Sequence, residues 1–117
     1  MSREDQLLIE RVLAAHEGYD MYPCFFMCQE SGEVIRIGSL QNFKDHLRRD
    51  PAALNRRHIA FCLGDNKCIP CDKAKADVAQ MKDVEVRFLE REGEEVRWYA
   101  GDLQMMMKKK PIAWRVV

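Results

Sequence analysis

The chain has 117 residues, and its 19 Lys and Arg balance its 19 Asp and Glu to a formal net charge of zero. That length fits a single α/β domain over residues 1–117, and a composition 47% hydrophobic and 32% charged provides for an ordinary core. The charge balance argues against a nucleic-acid partner, which selects a clear positive excess, and no apolar run reaches the ~18 residues of a membrane span.

The opening Met1-Ser-Arg-Glu-Asp is charged and lacks the apolar segment of a secretory signal. The five cysteines, Cys24, Cys28, Cys62, Cys68 and Cys71, are an odd number, which does not fit a secreted disulfide framework. The expectation is a cytoplasmic protein. In a reducing compartment a close cysteine pair points to metal or redox chemistry. A small molecule, a protein partner and self-association into a homo-oligomer all remain open.

Ser2 and Asp5 have the spacing of a capping box, and Leu8, Ile9, Val12, Leu13 and His16 follow at helical spacing. This predicts a first helix over about Arg3 to Glu17, stopped by Gly18, with His16 packed on its apolar side. Tyr22 to Met27 is aromatic and apolar, Glu30-Ser-Gly32 makes a turn, and Glu33 to Ile37 returns as a second strand. Cys24 and Cys28 lie on the first arm. Four residues apart on a strand they are roughly 13 Å from each other, too far to share a metal, so they are packing residues.

Ser39 caps a second helix whose apolar side is Leu40, Phe43 and Leu47, and Asp50-Pro51 ends it. Ala52 to Arg57 is a linker. The basic clusters Arg48-Arg49, Arg56-Arg57 and Lys108 to Lys110 read as solvated charge.

The centre of the chain is His58-Ile-Ala-Phe-Cys-Leu-Gly64, a strand covered on both faces, broken by Asp65-Asn66. Cys68-Ile-Pro-Cys71 then opens a third helix that runs to Met81, with Pro70 in the first turn, where a missing N–H costs nothing. Ala74, Val78 and Met81 line its packed side; Lys73, Lys75 and Asp77 face outward. Two sulfurs at a helix N-terminus are placed where partial positive charge favours thiolate. Such a pair serves as a zinc half-site or as a dithiol.

Val84 to Leu89 and Val96 to Ala100 form a second hairpin around Gly93, with both arms half exposed. Gly101-Asp102 opens a short helix, Leu103 to Lys110, in which Met105, Met106 and Met107 fill core space. Pro111 ends it, and Ile112 to Val117 is a last strand. The order is therefore α-β-β-α-β-α-β-β-α-β, a mixed β-sheet with helices on both faces.

This order resembles the cytidine-deaminase-like superfamily. Its zinc-bearing helix follows the third strand, as Cys68-Ile-Pro-Cys71-Asp-Lys-Ala-Lys follows His58 to Gly64 here. Its free-nucleoside branch continues with a strand, a Gly turn, a strand and a G-[DE]-L helix, similar to Val84 to Leu89, Gly93, Glu95 to Tyr99 and Gly101-Asp-Leu103. The resemblance implies zinc at Cys68 and Cys71. It also implies a third ligand and a proton-shuttling Glu from an H-x-E or C-x-E at the start of the second helix. That helix begins Gly38-Ser-Leu-Gln-Asn42 and has neither. Ordinary deamination is therefore not expected, and His46 or Cys62 is left as the substitute ligand.

Two other readings stay open. Cys-x-Pro-Cys after a buried strand is also the layout of thioredoxin-like thiol enzymes. There Cys68 would be the nucleophile and Cys71 the resolving thiol, with Pro111 before the last strand as the facing proline. Alternatively the domain is a structural or interaction protein, its cysteines simply buried or closed around zinc by Cys62, Cys68, Cys71 and either Cys28 or His58.

Overall fold

The computed structural model describes residues 2–50, 59–81 and 86–97 and, as backbone, 98–99 and 112–115. The helix expected over Leu103 to Lys110, its three methionines, Pro111, His58 and the linker Ala52 to Arg57 lie outside these residues. The described elements are α1 (Arg3–His16), β1 (Cys24–Cys28), β2 (Val34–Gly38), α2 (Leu40–Arg49), β3 (Ile59–Asp65), α3 (Ile69–Ala79), β4 (Val86–Glu92), β5 (Glu95–Tyr99) and β6 (Ile112–Arg115). No helix among the described residues is long and apolar enough to cross a membrane.

The local signals act where they stand. Ser2 caps α1 by accepting the Asp5 N–H at 3.1 Å, and Ser39 caps α2 by accepting the Asn42 N–H at 3.2 Å. His16 is buried, its Nε2 lies 3.1 Å from the Met21 carbonyl oxygen, and its ring packs on Tyr22 and Phe26.

The strands form one mixed sheet in the order β2-β1-β3-β4-β5-β6. β3 and β4 are parallel, and the other neighbours are antiparallel. Alternation then divides the core. On one face Cys24, Phe26, Cys28, Phe61, Leu63, Leu89 and Val96 pack with Ile9, Val12 and Leu13 of α1. On the other, Phe25, Met27, Ala60, Cys62, Val86 and Phe88 pack with Phe43 of α2 and with Cys71, Ala74 and Val78 of α3. The rings of Phe25 and Phe43 stack at 4.5 Å. Helices thus cover both faces, and β3 is buried on both sides as its apolar run requires.

One expectation is corrected. From Val86 to Leu89 β4 is covered on both faces rather than half exposed, because it pairs in parallel with β3 near the middle of the sheet, whereas Glu90 to Glu92 are partly exposed. Phe88 is buried on the α3 side and Leu89 on the α1 side. Arg87 reaches Asp5 of α1 at 2.8 Å with both side chains largely covered.

β2 carries an irregularity that matters at the sheet's edge. Phe25 pairs with Gly38 and Phe26 with Arg36, so Ile37 is an extra residue on β2, a bulge.

Candidate functional site

Register puts several chain ends together. Cys24, which begins β1, pairs with Leu63 near the end of β3. Gly38, which ends β2, pairs with Phe25. Asp65 pairs with Arg91 near the end of β4. The helices that follow β2 and β3 therefore both start at this end of the sheet, and Cys68 and Cys71 lie there.

The turn before the pair is tied down. The Asn66 N–H donates to the Arg91 carbonyl at 2.9 Å, which extends the β3–β4 ladder past the strand. Lys67 then takes φ 56°, a left-handed backbone that reverses the chain into α3. Cys68 is the N-cap of α3, and its Sγ accepts the Cys71 N–H at 3.2 Å, the role an oxygen plays in Ser2 and Ser39. Pro70 sits in the first turn, as its missing N–H allows.

The two sulfurs are bonded to each other, with Cα atoms 5.2 Å apart. Their surroundings differ. Cys68 is half buried, whereas Cys71 is 1% exposed and belongs to the cluster beneath α3.

Gly64 sets how closely α3 approaches. A Cβ at this position would lie 2.8 Å from Phe88 Cζ and 3.2 Å from Cys71 Cβ. The ring is rigid and buried, so Gly64→Ala is expected to cost about 1–3 kcal/mol as overpacking, more than the ~0.4–1 kcal/mol gained by stiffening the unfolded chain. It should also displace Cys71. Chemical denaturation paired with the rate of disulfide reduction checks both effects; an unchanged midpoint and rate would remove Gly64 from the site.

The other proposed site residues are placed as follows. Cys62 lies on the same sheet face as Gly64, two residues earlier, in the cluster that contains Cys71. It is the free cysteine that shares a buried cluster with Cys71, and burial pushes its thiol well above the ordinary range. His46 falls in the last turn of α2, at the opposite end of that helix from Ser39, which caps its start. Cys28 is on the α1 face and pairs with Ile59 at the start of β3, remote from Cys71 on both counts. Among the described residues no group of three or more His, Cys, Asp or Glu side chains is placed to hold a metal ion.

Cys24 and Cys28 are free and buried on one face of β1. Burial raises both thiols, that of Cys24 against the lowering influence of Arg36 and that of Cys28 to about 11 against Arg87 and Arg11. Replacing either with Ala is expected to cost roughly 1 kcal/mol of stability and to leave the chemistry of Cys68 and Cys71 unchanged. Alkylation of the native protein followed by mass measurement should find both thiols unmodified until denaturant is added.

A shallow cleft of about 500 Å³ between α1 and the β1–β2 turn is lined by Leu7, Leu8, Arg11 and Glu30 among others. It lies at the opposite end of the sheet from the sulfur pair, since the β1–β2 turn follows Cys28 and Cys28 pairs with Ile59.

Sequence spacing locates the pair but not its neighbours. The approach of Gly64 to Cys71 and the tie from Asn66 to Arg91 depend on the parallel β3–β4 register, and no local pattern announces that. No protein-family model, no curated protein and no solved structure matches the chain.

Proposed function

We propose that Cys68 and Cys71 are a redox-active pair that cycles between disulfide and dithiol by exchange with an external dithiol, on a scaffold similar to the cytidine-deaminase-like one. The observation that carries this reading is the asymmetry of the pair. A half-buried sulfur at the N-cap of α3 is bonded to one that is 1% exposed.

An incoming thiolate attacks the more accessible Cys68 Sγ. The Cys68–Cys71 bond breaks, its electron pair leaves on Cys71 Sγ, and that sulfur takes up a proton. The second thiol of the incoming molecule loses its proton and attacks its own sulfur in the mixed disulfide, releasing Cys68 as a thiolate. The partner dithiol is oxidised to a disulfide, and the protein pair is reduced by the same two electrons. In the reverse direction the Cys68 thiolate is the nucleophile. The helix N-terminus and the Cys71 N–H both favour negative charge on that sulfur. In a reducing compartment such a disulfide is transient, as catalysis or sensing requires.

A second reading draws on the shared start of α2 and α3 at one sheet end. In the superfamily that the chain resembles, that arrangement brings a ligand and an acid from the second helix to the CxxC. In this chain Gly38 to Asn42 occupy that place, with Ser39 as the cap and no His, Cys or Glu.

One experiment separates the readings. Protein purified without added metal is equilibrated across thiol/disulfide buffers, alkylated under denaturing conditions and weighed, with zinc measured in parallel. The redox reading expects two thiols to appear together, with a slope near 30 mV per tenfold change in ratio. Stoichiometric zinc released only when both cysteines are modified overturns it in favour of the zinc reading. A pair that stays reduced and metal-free leaves a structural or interaction domain.

A further inference from the structure

The redox reading leaves the partner of the pair unspecified, and the surface around Cys68 addresses it. Ile69, between the two cysteines, is 81% exposed, which makes it the most exposed large hydrophobic side chain among the described residues. Pro70 beside it is also exposed. The next most exposed is Met21, at 67%. Met21 precedes β1, whose first residue Cys24 pairs with Leu63, so its segment lies at the sheet end that holds the disulfide. Tyr22 packs against the buried clusters of both faces, so the chain crosses that end at Met21 to Pro23. Among the described residues, the two large apolar side chains most open to solvent thus stand at the end of the sheet that holds the half-buried Cys68.

We infer that this rim docks a polypeptide dithiol, an extended protein segment with a large apolar side chain next to its cysteine. The inference rests on the redox reading above. A small polar thiol gains nothing from Ile69 or Met21, because removing apolar surface from water needs an apolar group on the partner. The exposed first turn of α3 offers such a group a contact in the residue next to Cys68. Truncating Ile69 is therefore neutral for exchange with a small reagent. The step itself is unchanged: the peptide's first thiolate attacks Cys68 Sγ, Cys71 leaves and is protonated, and the peptide's second thiol closes the peptide disulfide.

The test compares three reductants of the oxidised wild-type protein and of Ile69→Ala, which trades an exposed side chain for a stronger helix former and keeps the fold. The reductants are dithiothreitol, a reduced Cys-x-x-Cys peptide with Leu and Phe flanking its cysteines, and the same peptide flanked by Ser. The expected result is a roughly tenfold slowing of the Leu/Phe peptide by Ile69→Ala, with dithiothreitol and the Ser peptide within about twofold. Met21→Ala should act in the same direction by a smaller factor. Equal slowing of all three reductants, or of none, overturns the inference while leaving the redox reading in place. A protein that dithiothreitol does not reduce, or that holds no disulfide to reduce, removes the redox reading itself.

Discussion

Phe61→Ala is expected to remove about 3–5 kcal/mol of folding stability, the range for truncating a buried aromatic side chain. Phe61 is fully buried in the middle of β3, opposite Phe26 of β1 and in the cluster that α1 covers. The Arg87 guanidinium lies 6.0 Å from its ring and is held there by Asp5. The site cannot collapse easily, since strands flank it on both sides and a helix lies over it. Domains of this size have about 5–15 kcal/mol in hand, so the variant should sit near the edge of folding. Urea unfolding gives the answer through the midpoint at constant slope. A loss under about 1 kcal/mol would mean that this face of β3 is not the core.

The second large effect is chemical. Cys68→Ser is expected to abolish the two-electron transition and all exchange with dithiols, while preserving the helix start. Serine is among the best N-caps, and its oxygen can take over the Cys71 N–H that Cys68 Sγ accepts. Stability should therefore stay within about 1 kcal/mol of the reduced wild-type protein, on the scale of one cap. Cys71→Ala breaks the same bond from the buried side and should lose stability as well, because it leaves a small void beneath α3. Titration of both variants across thiol/disulfide buffers, with circular dichroism to confirm the fold, checks the pair. If Cys68→Ser retains a two-electron transition, another sulfur has taken its place, and Cys62 is the one on the same face.

The periodicities that write the elements are local, which is why so many of them are legible. Ser2 and Ser39 cap the helices that follow them, His16 packs where its spacing puts it, and Cys24 and Cys28 are buried on a strand. The apolar run Ile59 to Leu63 is the buried strand that it describes. Pro70 and the cysteines mark the start of α3. What sequence does not carry is the order in which strands lie side by side. Nothing in Cys24 to Cys28 says that β1 lies between β2 and β3, and nothing in Val86 to Glu92 says that β4 runs parallel to β3. For that reason β4 reads as half exposed until its neighbours are known. The fate of the CxxC is hidden for a different reason: a pair at a helix start suits either a bond between sulfurs or a metal, and the choice depends on what else converges.

The extra residue at Ile37 has a consequence beyond the site. Among the described residues β2 is an outer strand, and one side of its backbone has no strand partner. A straight, apolar strand in that position would invite a neighbouring molecule to continue the sheet, and Val34, Ile35 and Ile37 are the residues for it. The bulge interrupts the regular spacing that such an addition needs. Arg36 adds a charge in the middle of the strand, held toward α1 by the Ala15 carbonyl and the Tyr19 hydroxyl, with its guanidinium over the Tyr19 ring. The protection against runaway strand addition is thus built from one inserted residue and one arginine: Ile37 still packs against the cluster that α2 and α3 cover, and Arg36 belongs to neither buried cluster.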